Sequence, residues 1–409
     1  MGIKNSFLKC IWLIFIVCSV AKAANLKLTD ADSPIGERGL VYKDRPVFLV
    51  GSGSFWLLND PYYYNEDGTT NLEHLRAHLD KYKPLDTAGK ALGVIRVSAF
   101  GVPVRYAGVD LAKRRYPVAR VSGAGKAVDG GDKFDCTVID ELFFEHALTV
   151  AREADKLGIV LGIILWDEIP LETEGTHRWP DNPFRPVNNI NAFGLSGSDG
   201  LPEFYEKTAD NLREVQDTII EKFCDVFKEE PNVFFFISNE YTGNAAWRDR
   251  QIETINRKNQ ENNSGLLHVT MTWGIGESAV SDGVAPSTLV QGLSWRGDGR
   301  PSIAQRDNSK ANGRQTFWQR FMGGAASAGT RDSYNGDTPP ATTFNDQAKE
   351  DQQLRRFVNS ILSSLDRMKP LRFVFPNDWV CRGSKGAEYV AYSTGGGTLD
   401  VDLSSEEGE

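Results

Sequence analysis

From residue 45 onward, short apolar runs alternate with longer segments of helical periodicity, and this alternation restricts the chain more than any other feature. The runs Val47–Val50, Gly93–Ser98, Gly158–Trp166, Val233–Ile237, Leu267–Trp273 and Thr288–Leu293 carry apolar residues at adjacent positions, and the short Ser302–Ala304 follows them. A strand that is apolar on both faces has to be covered on both, as in a parallel sheet with helices packed outside it. Glu141–Lys156, Phe204–Lys228, Ala245–Gln260, Arg314–Met322 and Asn345–Leu365 have the helical pattern that such a sheet requires. No GxGxxG or P-loop opens a helix, which argues against an open nucleotide-binding sheet. With an eighth strand expected within 324–345, the chain reads as α/β, a (β/α)8 TIM barrel over residues 24–368. After Leu365 the texture changes. Arg372–Phe375, Tyr389–Tyr392 and Thr398–Leu403 are short strand patterns parted by turns such as Gly395-Gly396-Gly397, so residues 369–409 are expected to form a short, truncated β-rich module resembling part of a sandwich.

The N-terminus predicts a secretory signal over residues 1–23. Lys4 and Lys9 precede an apolar run from Ile11 to Val20, and Ala21-Lys22-Ala23 has the small-x-small pattern of a cleavage site. The run is too short to span a bilayer, which takes ~20 apolar residues. Val17 before Cys18 is bulkier than a lipoprotein signal prefers, so secretion is expected rather than lipid anchoring. The segment holds Lys4, Lys9 and Lys22 and no acid, so its loss takes the net charge from −9 to −12. That acidity argues against a nucleic-acid partner. Only Cys136, Cys224 and Cys381 follow the signal, enough for one disulfide and without the spacing of a zinc site. No metal or other cofactor is expected. His74 and His78 stand at i, i+4 without an HExxH context and read as surface helix positions.

Chemistry concentrates where apolar runs end. Val233-Phe-Phe-Phe-Ile-Ser238-Asn239-Glu240-Tyr241 is a buried strand closing on an Asn-Glu pair, and barrel strands carry catalytic groups at their C-terminal ends. Cleaving a glycosidic bond takes one carboxylic acid to protonate the leaving oxygen and a second carboxylate to attack the anomeric carbon or activate water. At this pair the sequence resembles the cellulase-like (clan A) glycoside hydrolases, whose acid/base lies in an Asn-Glu pair ending barrel strand 4. Pro46-Val-Phe-Leu-Val-Gly51-Ser-Gly-Ser-Phe-Trp56 is similar to the first strand of secreted members followed by a C-terminal β-sandwich, the so-called collagen-binding domain. Gly93-Val-Ile-Arg96-Val resembles their second strand, Phe317-Trp318-Gln-Arg-Phe-Met-Gly323-Gly324 the helix after strand 7, and Glu388–Tyr392 the opening of the sandwich. The resemblance implies a secreted hydrolase of O-glycosidic bonds acting on a polysaccharide or oligosaccharide by a two-carboxylate mechanism, retaining with the carboxyls ~5–5.5 Å apart or inverting if they stand further apart. Glu240 would be its acid/base, with Arg96 supporting it and Asn239 bonding a sugar hydroxyl; both are expected at the substrate site.

The second carboxylate departs from the family pattern. Arg300-Pro301-Ser-Ile-Ala-Gln305-Arg306-Asp307-Asn308 offers only Asp307, with Arg306 where the nucleophile is expected. Glu277, after Trp273-Gly-Ile-Gly276, is a rival or a substrate contact, and Asp167 and Glu168 end the third strand. Sugar rings pack on aromatic faces, and Trp56, Trp166, Tyr241, Trp273 and Trp295 end or follow predicted strands, with Trp179 and Trp247 nearby. Because the second acid is atypical, a carbohydrate-binding barrel without catalysis is the alternative expectation.

Overall fold

The computed structural model describes residues 26–28, 40–83, 91–101, 109–167, 169–171, 179–195, 201–205, 210–239 and 245–269. Beyond these it describes 288–291, 302–304, 327–328, 352–359, 369–371, 379–384 and 388–393. The protein is α/β with a curled sheet. Strands β1 (Lys27–Leu28) and β2 (Leu40–Tyr42) lead antiparallel into β3 (Arg45–Gly53). Helix α1 (Leu72–Leu79), β4 (Ala91–Ser98) and a small antiparallel hairpin, β5 (Val118–Arg120) with β6 (Phe134–Ile139), follow. Then come α2 (Glu141–Lys156), β7 (Ile159–Asp167), α3 (Leu201–Tyr205), α4 (Asp210–Phe227), β8 (Val233–Asn239) and α5 (Ala245–Asn262). Short strands β9 (Leu267–Val269), β10 (Thr288–Gln291), β11 (Ser302–Ala304) and β12 (Ser327–Ala328) continue the sheet. The parallel pairings run β3–β4–β7–β8–β9–β10–β11–β12 and return from β12 to β3.

The double burial inferred from composition is plain in β4, β7 and β8, every residue of which is buried. Side chains alternate between two cores. Leu49, Leu92, Val94, Val160, Ile164, Phe234, Phe236 and Leu267 meet in one cluster. Their neighbours Ile95, Val97, Ile159, Leu161, Ile163, Val233, Phe235 and Ile237 belong to the other, with Phe143, Ala147 and Val150 of α2 and Ile219, Ile220 and Phe223 of α4. Each such aliphatic or aromatic side chain contributes roughly 1.5–3 kcal/mol on burial. Gly162 is required by the first cluster, since a Cβ there would lie 2.7 Å from the Phe236 ring and 2.8 Å from the Phe234 ring.

Helix α2 begins where the sequence predicts because Asp140 caps it, accepting from the backbone N–H of Leu142 and Phe143. Of the helix expected over 204–228, the described residues form α3 and α4, and 206–209 lie outside them. Helical residues 352–359 tie the end of the chain's α/β part to its beginning. Arg355 Nη1 donates to Val50 O at 2.9 Å, and Asn359 Oδ1 accepts from Ala91 N at 2.8 Å.

A separate three-stranded antiparallel sheet forms from β13 (Lys369–Leu371), β14 (Trp379–Ser384) and β15 (Glu388–Ser393). The strand expected at 389–392 lies within β15, whereas those expected at 372–375 and 398–403 lie outside the described residues, as does the helix expected at 314–322. Among the described residues no helix is long and apolar enough to cross a membrane.

Candidate functional site

Strands β7 and β8 end level with each other, Asp167 opposite Asn239 in their parallel register. Asn239 Nδ2 donates to Asp167 Oδ1 at 3.1 Å, and on the other side Arg96 Nη1 of β4 reaches Asn239 Oδ1 at 3.5 Å. All three side chains are buried, Arg96 to 1%, Asn239 to 4% and Asp167 to 6% exposure. The amide orientation is therefore dictated by unlike neighbours, its N–H toward the carboxylate and its oxygen toward the guanidinium. A buried guanidinium is costly unless compensated. Here it also lies over the Phe55 ring at 4.7 Å and the Phe236 ring at 5.9 Å, a favourable cation–π placement. Phe55 is held there by the backbone, because Ser54 N donates to Arg96 O at 2.7 Å and Ser98 N to Phe55 O at 3.0 Å.

Behind Ser54 stands a buried polar trio. Ser54 Oγ is 2.9 Å from His78 Nε2, and Tyr63 OH is 2.8 Å from His78 Nδ1. His78 is thus no surface residue. Leu75, His78 and Leu79 share the inner face of α1, and burial lowers the His78 pKa to about 3, so the ring is neutral. His74 stacks on Tyr62 at 4.0 Å and bonds the Tyr62 carbonyl. The signal for His78 was present in the sequence: its i+3 offset from Leu75 puts it on the apolar stripe.

The structure brings Arg96 and Asn239 together and adds Asp167 to them. Trp56 is half-buried in the turn after β3, where its carbonyl accepts from Asn59 N and Asp60 N. Trp166 has a different place from the one expected. It is 2% exposed, stacked on Phe100 at 5.3 Å, edge-on to Phe184 and Trp247, and its Nε1 donates to Gln251 Oε1 at 3.0 Å. Enclosed by rings, it packs the core rather than presenting a face to a ligand. Trp179 and Trp247 are likewise buried. Glu240, Tyr241, Trp273, Glu277, Trp295 and Asp307, like Glu168, lie outside the described residues. Among the described residues no group of three His, Cys, Asp or Glu side chains is arranged to hold a metal ion. Cys136 and Cys224 are buried free thiols whose pKa values burial pushes up, which makes them inert packing groups.

A family model described as a domain of unknown function, DUF6298, matches residues 114–289, a span that includes Asp167 and Asn239 but not Arg96. No curated protein matches the chain. Among solved structures, the chain is similar to a Bacteroides vulgatus protein described as a candidate glycoside hydrolase. The TM-score is 0.55 at 14% identity, over 88% of this chain and 66% of that one. It is also similar to a glycoside hydrolase family 5 protein from the same organism, with TM-score 0.50 and 12% identity over 88% and 79% of the two chains. These likenesses are of fold: the structural neighbours are glycoside hydrolases with TIM-barrel folds.

Proposed function

We propose that the protein is a secreted glycoside hydrolase cleaving O-glycosidic bonds of a polysaccharide or oligosaccharide, on a (β/α)8 barrel over residues 24–368 followed by a β-rich module over 369–409. The observation that carries this reading is the Arg96–Asn239–Asp167 chain at the strand ends, directly before Glu240 in sequence. A network that immobilises the residue preceding an acid fixes the backbone from which that acid projects, and catalytic groups work only when so held. Glu240 protonates the leaving oxygen as the bond to the anomeric carbon breaks. A second carboxylate, Asp307 or Glu277, attacks that carbon, and water activated by the now ionised Glu240 releases the sugar. One amide proton of Asn239 is taken by Asp167 and the other can bond a sugar hydroxyl. Trp56, Tyr241, Trp273 and Trp295 supply aromatic surface around the substrate. The fold shared with glycoside hydrolases supports the reading.

The test is Glu240→Gln, which keeps size and polarity and removes the acid. Release of reducing ends from a cleaved polysaccharide should fall by ~10²–10⁴, the usual worth of a general acid/base. Turnover at the unaltered rate would sink the assignment. Arg306 at the position expected of the nucleophile favours one second reading, a barrel that binds carbohydrate without cleaving it. Saccharide binding with no product release by the unaltered protein would select it.

A further inference from the structure

An open cleft of about 760 Å³ lies between the turn after β3 and the segment before β5 and shares no residue with the strand-end cluster. Arg96, Asn239, Asp167 and Trp56 are all absent from its walls. One wall is the turn following β3, with Tyr62, Tyr64, Glu66 and Asp67; the other is the segment before β5, with Asp110, Lys113 and Arg115. Its volume is within the ~300–1,000 Å³ range of clefts that hold small ligands.

The shape of the cleft is built into the sequence. Gly68 turns at φ +85°, and a Cβ there would lie 2.1 Å from Arg115 Nη2, so the guanidinium lies against a residue that has no side chain. Arg115 Nη1 is anchored by both oxygens of Asp140, at 3.0 and 2.7 Å, the same carboxylate that caps α2. The cleft wall is thereby fastened to a helix start. Tyr62 is half-buried with one ring face on His74, and Tyr64 lies 5.8 Å from the Arg115 guanidinium carbon.

The chemistry of the lining selects a ligand. Arg115 is paired to Asp140, Arg114 to Asp181 and Arg120 to Asp129. The charges of the lining that have no ion-pair partner among the described residues are then Lys113 against Glu66, Asp67 and Asp110, an acidic excess that repels a polyanion. Exposed groups that remain at the rim include both an acceptor, Glu66, and a donor, Lys113. Aromatic surface with interleaved donors and acceptors and an acidic excess suits a molecule with many hydroxyls and no negative charge of its own. We propose that this cleft is a non-catalytic binding site for a neutral oligosaccharide. The choice of a sugar rests on the glycoside-hydrolase reading; the site itself rests on the cleft.

Hydrogen exchange on the full chain carrying Glu240→Gln tests this, with cellohexaose, mannohexaose, xylohexaose and tetragalacturonate as probes. At least one neutral hexasaccharide should slow exchange in residues 61–68 and 109–120. Tyr62→Ala and Ala119→Trp, the second filling the cleft from its wall, should each raise the concentration needed for that protection tenfold or more. Lys113→Ala, at an exposed position, repeats the test without risk to the fold. Protection confined to the strand ends, protection by tetragalacturonate alone, no protection by any probe, or indifference to all three variants would overturn the proposal. Sugar release by the unaltered protein is scored separately: its absence alongside protection of the cleft segments counts against the hydrolase and not against the cleft.

Discussion

Asn239 Nδ2 donates to Asp167 Oδ1 at 3.1 Å across the parallel register of β8 and β7, which sets an uncharged amide between a buried carboxylate and the Arg96 guanidinium. The amide stands between two charges and bonds to each. Replacing it therefore changes the electrostatics of the site more than its shape.

Asn239→Asp puts a second carboxylate against Asp167. Two carboxylates at hydrogen-bond distance cannot both ionise cheaply, so one takes up a proton and its pKa rises. The variant should lose about 1–3 kcal/mol of stability at pH 7.5, and less at pH 5, where a proton can be shared between the two acids. Urea unfolding at both pH values measures this. An equal loss at both would show that the pair is not in contact.

Two tryptophans should separate by role. Trp166→Ala removes a ring packed against Phe100, Phe184 and Trp247 and should cost roughly 3–5 kcal/mol. Trp56→Ala, at a half-buried turn position, should cost less than half of that and act instead on saccharide affinity. Thermal denaturation of both, with titration of a hexasaccharide, distinguishes them. The reverse order of stability losses would refute the placement.

Gly162→Ala forces a methyl to 2.7 Å from the Phe236 ring. The neighbouring Phe234 ring, whose centroid is 5.1 Å from that of Phe236, leaves little room to yield. Overpacking of this kind costs about 1–3 kcal/mol, read as a lower urea midpoint with an unchanged slope. A variant as stable as the parent would mean that the rings have space to move.

Buried histidines make the fold sensitive to acid. Burial lowers the pKa of His78 to about 3 and of His146 and His268 to about 4. His146 is fixed as one tautomer, since its Nε2 must donate to Leu57 O at 3.0 Å while Nδ1 accepts from Thr70 Oγ1. An unfolded histidine titrates near ~6.5. Stability from these groups is thus complete above that value and falls as pH drops toward the folded pKa values, by up to ~1.4 kcal/mol per pH unit for each. Melting temperatures from pH 7.5 to 4.5 should decline, and His146→Gln should flatten the decline. A melting temperature that holds constant over this range would contradict the neutral burial of the rings.

Much of the strand order was legible because β4, β7 and β8 are buried on both faces, which writes itself as unbroken apolar sequence. Helix α2 was legible to the residue, since Asp140 marks its start and Gly158 follows its end. The β5–β6 hairpin was not, because only Phe134 and Cys136 of β6 point inward and Gly-rich sequence surrounds them. Asp167 was visible as an acid at a strand end, but its partner stands 72 residues away. Trp166 misled because its position at the end of a strand says which end it occupies, not which way its ring turns.

Beyond its start, which pairs with β2, β3 is bonded to β4, its next neighbour in the parallel sheet, and at Leu49 and Val50 to β12, whose Ser327 and Ala328 are, among the described residues, the last in sequence to join that sheet. During synthesis the first partner arrives within tens of residues and the second only about 230 residues after it. Until then the nascent sheet carries two raw edges, each able to recruit a strand from another molecule. A nonsense mutation or proteolytic nick just before Ser327 would leave every residue of the strand-end cluster present and the ring unsealed. Such a fragment is a candidate for aggregation.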